Sequence, residues 1–221
     1  MKLLIKKFVP KVIYKTVLTA LSTLYRKKLL ADSKFKASKM IFDRQNSQLK
    51  LEIGAGEKKG KNDWITLDLS AKCDLYWDLL LPLPFPKNSI DMIYSSHVLE
   101  HFTYEDLMRL LINCYGTLKV GGKFSVCVPD ASIFINGYVN PKEFDSFKYC
   151  ASDPGFNFNS EIDYINYTAY MGGHHRHMFD SKNLIAILQK VGFKNVNLRQ
   201  FDPLIDKLER DYESIYAEAE R

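Results

Sequence analysis

Residues 49–70, LKLEIGAGEKKGKNDWITLDLS, decide the fold of this 221-residue chain. They contain two short apolar runs that predict β-strands, the first followed by Gly54 and Gly56 and the second ending at Asp68. Glycine lets the backbone bend sharply and approach a ligand closely, and ligands of open parallel sheets bind beyond the carboxyl ends of the strands. The stretch therefore predicts the start of a parallel sheet with a binding site at its strand ends.

Strands and helices alternate along the rest of the chain. Two amphipathic helical patterns begin at the capping residues Thr103 and Asp180, and each ends at glycine. Such alternation is typical of an α/β fold with a doubly wound, mostly parallel sheet. The further predicted strands are residues 89–96, 121–130, 194–200 and 213–220.

Residues 1–48 predict a separate, basic and amphipathic helical arm. The first 50 residues carry 13 Lys or Arg against two Asp, a net charge of +11, whereas the remainder carries −6. The longest uncharged run, residues 16–25, is far shorter than the roughly 18 residues of a membrane span, and no cleavage site marks a signal peptide. The arm could pack on its own domain, lie on an anionic membrane surface, or bind nucleic acid.

The remaining residues, 49–221, predict one domain of ordinary globular composition, 46% hydrophobic and 26% charged. Residues 131–173 form an irregular aromatic insertion after a predicted strand, a position that commonly shapes a ligand site. The cysteines are far apart and form no C-x-x-C pair, so we expect reduced packing residues of a cytoplasmic protein. They are Cys73, Cys114, Cys127 and Cys150.

Two acids that follow successive strands indicate a nucleoside site. Asp68 can accept hydrogen bonds from both hydroxyls of a ribose. Asp78 precedes a proline-rich turn and can accept from an adenine amino group, while Leu79 can cover the ring. Because these residues occur in this order on consecutive strands, together they indicate a nucleoside site more strongly than any one of them does alone.

Four segments, residues 51–70, 81–102, 118–130 and 179–193, resemble the class I S-adenosylmethionine-dependent methyltransferases. The resemblance is strongest to a bacterial group of predicted methyltransferases, of the type 11-like kind, that is often found with surface-polysaccharide genes. It implies a Rossmann-like, seven-stranded sheet with a final antiparallel strand. It also implies S-adenosyl-L-methionine as the cofactor.

The resemblance assigns cofactor contacts residue by residue. The first motif would hold the methionine end, Asp68 with Leu69 the ribose, Asp78 with Leu79 the adenine, and the segment after the fourth strand the sulfonium. One departure is Lys58, which stands where the family commonly has a third glycine. Only about ten residues separate the first two strands, too few for a helix of ordinary length. The first motif is Glu52, Gly54, Ala55 and Gly56, and the segment beside the sulfonium is Ser95, Ser96 and His97.

The run SSHVLEHF, residues 95–102, also fits H-x-x-E-H, an inverted zinc-protease pattern. That pattern needs both histidines on one helical face, yet His97 and His101 straddle a predicted strand-to-helix turn. A second run, GGHHRHMFD, has no acid or cysteine at ligand spacing. We therefore expect no metal site.

Three residues are candidates for a general base. The resemblance places a histidine near the acceptor just before the last helix, and His175 could remove a proton there. His97 points toward the same region, and Asp130 stands at another strand end, where it could equally cap the next helix. Arg176 could bind an acidic group of the acceptor.

These features predict methyl transfer to an oxygen or nitrogen of a small-molecule acceptor, with a sugar or lipid-linked saccharide as first choice. The insertion at 131–173 would shape the acceptor site, because aromatic faces pack well on the apolar sides of sugars. We expect a cytoplasmic protein, peripheral to the inner membrane face if the arm binds lipid, and an oligomer is compatible. Alternatives are a nucleic-acid methyltransferase, which is less favoured, and a non-catalytic partner protein with the same fold.

Overall fold

The computed structural model describes residues 11–43, 47–151 and 156–221, with side chains from residue 19 onward. The described residues form one seven-stranded sheet flanked by helices. Its strands are β1 (Lys50–Ile53), β2 (Trp64–Asp68), β3 (Leu75–Tyr76), β4 (Ile90–Ser96), β5 (Leu118–Pro129), β6 (Lys194–Leu198) and β7 (Ser214–Glu220).

The strand order is β3-β2-β1-β4-β5-β7-β6. Strands β1 to β5 pair in parallel, and β7 runs antiparallel to both β5 and β6. The expected Rossmann-like fold, with seven strands and a final antiparallel strand, is confirmed. Strand β5 begins at Leu118 and not at Gly121 as predicted, because Leu118 already pairs with Ile90 before a bulge.

Six α-helices surround the sheet in the described residues. The predicted caps are confirmed: Thr103 Oγ1 accepts from Asp106 N at 3.3 Å, and Asp180 Oδ1 accepts from Asn183 N at 2.7 Å. The helices are α1 (Lys11–Asp43), α2 (Tyr104–Thr117), α3 (Ala131–Val139), α4 (Ser146–Tyr149), α5 (Ile162–Tyr170) and α6 (Ser181–Val191).

The connection between β1 and β2 contains no helix, as the short spacing predicts. Asp74 holds this loop in its place. Its Oδ2 accepts from the backbone nitrogens of Gly60 and Thr66, both at 3.0 Å, and from Thr66 Oγ1 at 3.0 Å. One carboxylate thus ties the loop to the start of β3.

All of α1 lies within the predicted arm, and the second half of this helix packs on the sheet. Ala37 is fully buried in the main core, and Ser33 Oγ accepts from Tyr76 N of β3 at 2.9 Å. Lys34 Nζ lies 5.7 Å from the ring centre of Trp77. The division at residue 48 stays a prediction, but this half of α1 contributes to the core. No helix of the described residues is long and apolar enough to span a membrane.

The aromatic insertion forms a small core of its own. Phe134 of α3 packs against Tyr164 and Tyr167 of α5 and against Cys150. Phe144 and Tyr149 stack on each other at 5.4 Å between ring centres and pack on the same cluster. Most of these rings therefore stabilise the insertion itself and do not face the main sheet.

Candidate active site

A cavity of about 380 Å³ opens at the carboxyl ends of β1, β2, β3 and β4. This volume is within the usual range of small-molecule sites. Six of the predicted cofactor residues line it. The lining residues are Gly54, Asp68, Leu69, Trp77, Asp78, Leu79, Leu80, His97, Val98, His101 and Phe102.

Gly54 makes the first turn of the cavity possible. Its φ is +67°, and a Cβ atom there would lie 2.2 Å from Val98 Cγ2. Its backbone nitrogen donates to Leu67 O at 2.8 Å. Both the backbone conformation and the space therefore require glycine, and the chain turns away to leave the cavity open.

Asp68 lines the cavity at the end of β2, as predicted. Its Oδ2 accepts from Gly56 N at 2.9 Å, so the acid and the glycine turn are held together. The other carboxylate oxygen has no such bond to the turn and is suited to hydroxyl donors. This geometry fits the predicted ribose contact.

Asp78 follows β3 on the adjoining wall of the cavity. Its Oδ1 accepts from Leu80 N at 3.0 Å, and its Oδ2 pairs with Arg26 Nη2 at 2.5 Å. Arg26 belongs to α1, 52 residues earlier, and sequence reasoning missed it because no local pattern links an arm residue to a strand end. The two acids thus share one cavity, and Asp78 is oriented from both sides.

Five predicted cofactor residues do not line this cavity. Glu52 pairs with Lys58 at a separate hollow of about 240 Å³, so the lysine at the third glycine position binds the first motif's acid. Ser95 is fully buried, and its Oγ has no hydrogen-bond partner among the described residues. The others, Ala55, Gly56 and Ser96, lie in the adjoining backbone segments.

Sequence reasoning also missed several lining residues. Trp77 is 2% exposed and donates from Nε1 to Pro82 O at 3.1 Å, so it forms a fixed wall. Val98 and Phe102 follow His97 in the run that the sequence singled out only for its histidines and glutamate. Each of these residues is apolar and lies near the end of a strand, and this pattern could have predicted that they line the cavity.

His97 lies at the end of β4 with a φ of +53° and a largely buried side chain. Its Nε2 is 2.8 Å from Ser214 Oγ, whose own hydrogen goes to Arg210 O at 2.6 Å. His97 Nε2 therefore donates, and Nδ1 is the unprotonated nitrogen. Burial, followed by the charge of Arg210, lowers the pKa of His97 to about 3, so the ring is neutral near pH 7.

The two histidine runs of the sequence meet in space beside the cavity. The backbone nitrogens of Arg176 and His177 donate to Glu100 O at 2.8 and 3.1 Å. The rings of His101 and His175 make an edge contact, with centres 5.2 Å apart. Sequence reasoning treated these runs as unrelated because more than 70 residues separate them.

His175 is buried, and its Nδ1 lies 2.8 Å from Thr168 O of α5. A carbonyl can only accept, so Nδ1 carries the hydrogen and Nε2 is the free acceptor. Burial lowers the pKa of His175 despite the bond to Thr168. Burial also raises the pKa of the fully enclosed Glu100 to about 8.

Asp130, the other candidate base, caps helix α3. Its Oδ1 accepts from Ser132 N at 2.9 Å, and its backbone pairs with Phe179. It does not line the cavity. Of the two roles that the sequence allowed for Asp130, the structure shows helix capping. A catalytic role for Asp130 stays a prediction.

A comparison with protein families decides the class. A family described as "Methyltransferase domain" matches residues 29–198, more than half of the chain. The chain belongs to this methyltransferase family. The enzyme class and the S-adenosyl-L-methionine cofactor expected from the sequence are thereby confirmed, and the match begins inside α1, whose second half packs on the sheet.

Solved structures of other methyltransferases are similar to this one, and the curated proteins contain no match. An S-adenosylmethionine-dependent methyltransferase of Archaeoglobus fulgidus is 16% identical, with a TM-score of 0.49 over 90% of this chain and 99% of that one. One of Mesorhizobium loti is 19% identical, with a TM-score of 0.47 over 78% and 90%. Phosphoethanolamine N-methyltransferase 2 of Haemonchus contortus is 14% identical, with a TM-score of 0.46 over 79% of this chain and 48% of that one.

Proposed function

We propose that this methyltransferase transfers a methyl group to a hydroxyl oxygen or amine nitrogen of a sugar or lipid-linked saccharide. The observation that carries the proposal is the position of the histidine cluster. His101 lines the cofactor cavity, and it contacts His175, which is hydrogen-bonded to α5 of the aromatic insertion. The cluster thus joins the cofactor cavity to the segment expected to shape the acceptor site.

The insertion offers polar and aromatic groups together. A hollow of about 240 Å³ within it is lined by Asn136, Asn140, Glu143, Phe144 and Tyr149, among others. Amides and a carboxylate hydrogen-bond sugar hydroxyls, while ring faces pack on the apolar side of a sugar. This chemistry supports a saccharide over an apolar acceptor.

The chain's own residues would position the two reactants. Asp68 and Asp78 would hold the ribose and the adenine, and Gly54 allows the tight turn after β1 that borders the cavity. The bound cofactor supplies an electrophilic methyl group. Alignment of the reactants can contribute on the order of 7–11 kcal/mol to such a transfer.

An acceptor hydroxyl must lose its proton during transfer. The free Nε2 of His175 is the expected base, because its Nδ1 is already committed to Thr168 O. His97 is less suited to this task, since its Nε2 donates to Ser214 and its unprotonated Nδ1 lies 3.8 Å from Glu100 Oε1. These roles are part of the proposal.

A transfer assay tests the acceptor class. Full-length enzyme is incubated with methyl-labelled S-adenosylmethionine and nucleotide sugars, a polyprenyl-diphosphate oligosaccharide, or bulk transfer RNA. We expect label in a saccharide fraction and none when Asp68→Ala replaces the wild type. Label in the RNA, or in no saccharide despite measurable cofactor binding, would contradict the proposal.

We also propose that α1 contacts an anionic membrane surface at the cytoplasmic face. Leu21, Leu24 and Tyr25 are 57%, 62% and 60% exposed at helical spacing, and Lys27 and Lys28 follow directly. Exposed apolar side chains next to lysines suit the boundary between acyl chains and anionic headgroups.

Sedimentation with vesicles tests this contact. We expect the wild type to pellet with phosphatidylglycerol vesicles at low salt and far less with phosphatidylcholine alone. The double variant Leu21→Ala, Leu24→Ala should lose pelleting, whereas Leu204→Ala, Leu208→Ala, which removes two even more exposed leucines elsewhere, should keep it. Equal pelleting of both variants would contradict a role for α1.

A further inference from the structure

Three potential metal ligands meet beside the cofactor cavity. Glu100, His101 and His175 each offer one ligand atom, and these atoms all lie within 4.8 Å of one another. His101 Nε2 is 3.8 Å from Glu100 Oε1. Ligands on a four-coordinate ion with bonds near 2.0–2.1 Å are about 3.3 Å apart, so shifts of roughly 1 Å would close the site.

Both histidines have Nδ1 bonded to a backbone carbonyl. His101 Nδ1 lies 3.0 Å from His174 O, and His175 Nδ1 lies 2.8 Å from Thr168 O. Because carbonyl oxygens only accept, both Nδ1 atoms carry the hydrogen, and Nε2 is the acceptor nitrogen of each neutral ring. Metal-binding histidines typically have their second nitrogen bonded to a carbonyl or carboxylate in this way.

Glu100 lacks the partner that a buried carboxyl group needs. It is 2% exposed, and its Oε2 has no hydrogen-bond partner among the described residues. Unpaired buried polar atoms are rare and costly. His97, which lies as close to this carboxyl group as His101, donates its hydrogen to Ser214 and leaves Nδ1 3.8 Å from Glu100 Oε1.

The backbone fixes these three residues in one place. Arg176 N and His177 N donate to Glu100 O, which ties the loop carrying His175 to the turn carrying Glu100 and His101. A site held by two connected segments loses little freedom when a ligand binds.

We propose that Glu100, His101 and His175 bind one divalent transition-metal ion. Two imidazole nitrogens and one carboxylate suit zinc, manganese or iron, and they suit magnesium and calcium poorly because those ions prefer oxygen ligands. The ligand set differs from the H-x-x-E-H pattern of the sequence, because His97 turns to Ser214 and His175 takes its place.

The ion would lie at the edge of the cofactor cavity, since His101 lines it. Three protein ligands leave open positions, which an acceptor oxygen could fill. That use of the ion rests on the proposed function, and His175 would then be a ligand and not the base. Occupancy of the site does not depend on the proposed function.

Cobalt titration of the untagged, chelator-treated protein tests the site. We expect visible absorption bands that saturate at one Co²⁺ per chain, and displacement of Co²⁺ by Zn²⁺ in calorimetry. His101→Ala, His175→Ala and Glu100→Gln should each weaken binding by at least about tenfold. His174→Ala is the matched control, because its exposed side chain lies in the same loop and only its carbonyl is used.

Thermal melts of each variant without metal identify those that fold. Absence of a stoichiometric cobalt spectrum in the wild type, or equal binding by all folded variants, would overturn the proposal. His101 is 43% exposed in its side chain, so its variant decides the question even if the buried replacements unfold.

A separate S-adenosylmethionine titration distinguishes the two proposals. Cofactor binding without cobalt binding would leave methyl transfer standing and remove the metal site. Cobalt binding without transfer to any saccharide would keep the site and remove the proposed acceptor.

Discussion

Gly54 is the residue on which the shape of the cavity at the strand ends depends most directly. Two separate features require glycine at position 54: its positive φ, and the overlap that a Cβ atom would have with Val98. Gly56 has only the positive φ, since open space surrounds its Cβ position. The two glycines look equivalent in the sequence, because both stand in the same motif.

Gly54→Ala is expected to destabilise the fold and weaken cofactor binding more than Gly56→Ala. A Cβ at position 54 would overlap Val98, and overpacking typically costs about 1–3 kcal/mol in addition to backbone strain. Denaturant unfolding and calorimetric titration with S-adenosylhomocysteine measure both effects. Adding Val98→Ala to Gly54→Ala should restore part of the loss, and the absence of any difference between the two glycine variants would contradict the clash.

Asp68→Asn is expected to weaken binding of S-adenosylhomocysteine about tenfold to a hundredfold. The amide keeps the shape of the side chain but loses the charged acceptor, and hydrogen bonds to charged groups contribute roughly 1.5–3 kcal/mol. Calorimetry measures the change. Glu57→Gln is the control, because this exposed acid of the same loop pairs with Lys72 at the surface, and an equal loss there would remove the specific role of Asp68.

Among the elements, the loop between β1 and β2 departs most from the expected family pattern. It has no helix, and Asp74 supplies the order that a helix would otherwise provide. Burial alone raises the pKa of Asp74, but hydrogen bonds from Thr66 and Gly60 outweigh burial and hold the pKa below 3.8.

Asp74→Asn is expected to lower the free energy of unfolding by about 1–3 kcal/mol at pH 7, because the hydrogen bonds from Gly60 and Thr66 lose their charged acceptor. The folded pKa is below the unfolded one, so the stabilisation is present above pH 3.8 and is lost as pH falls through the folded pKa. Urea unfolding should therefore show a difference in the free energy of unfolding between the wild type and Asp74→Asn that is smaller in acid than at pH 7. Asp32→Asn, at an exposed position of α1, should show no such difference at either pH.

At the scale of the whole molecule, α1 joins the basic N-terminal segment to the fold. It contributes Ala37 to the core, Ser33 to β3 and Arg26 to the cavity acid Asp78. The family match from residue 29 agrees with this packing. The side chains of residues 21–28 in this helix are exposed.

Ser33→Ala is expected to lower the free energy of unfolding by about 1–3 kcal/mol, since Tyr76 N would lose its buried acceptor. Ser38→Ala should have little effect, because Ser38 is exposed and bonds only to Lys34 O in its own helix. Thermal or urea unfolding compares the two. Equal stability of both variants would show that α1 does not support β3.

Apart from β3, which has two residues, and helices α3 to α5, which lie in the insertion expected to be irregular, the sequence by itself determined the secondary structure. It determined the other strands, the caps of α2 and α6, the glycine turn and the acids at the strand ends. These features depend on hydrophobic periodicity, on the φ angles that a residue can adopt, and on neighbours within a few positions. The local pattern also identified Lys58 as a residue that differs from the third glycine of the family motif. It did not predict that Lys58 pairs with Glu52.

Only the tertiary structure decided which distant groups share a site. The pairing of Arg26 with Asp78 spans 52 residues, and the contact of Glu100 and His101 with His175 spans more than 70. Such contacts arise from the packing of α1 and the aromatic insertion around the sheet, and no local pattern encodes them. The same packing turned His97 toward Ser214 and placed the insertion's rings against one another, because each side chain is directed by its complete surroundings.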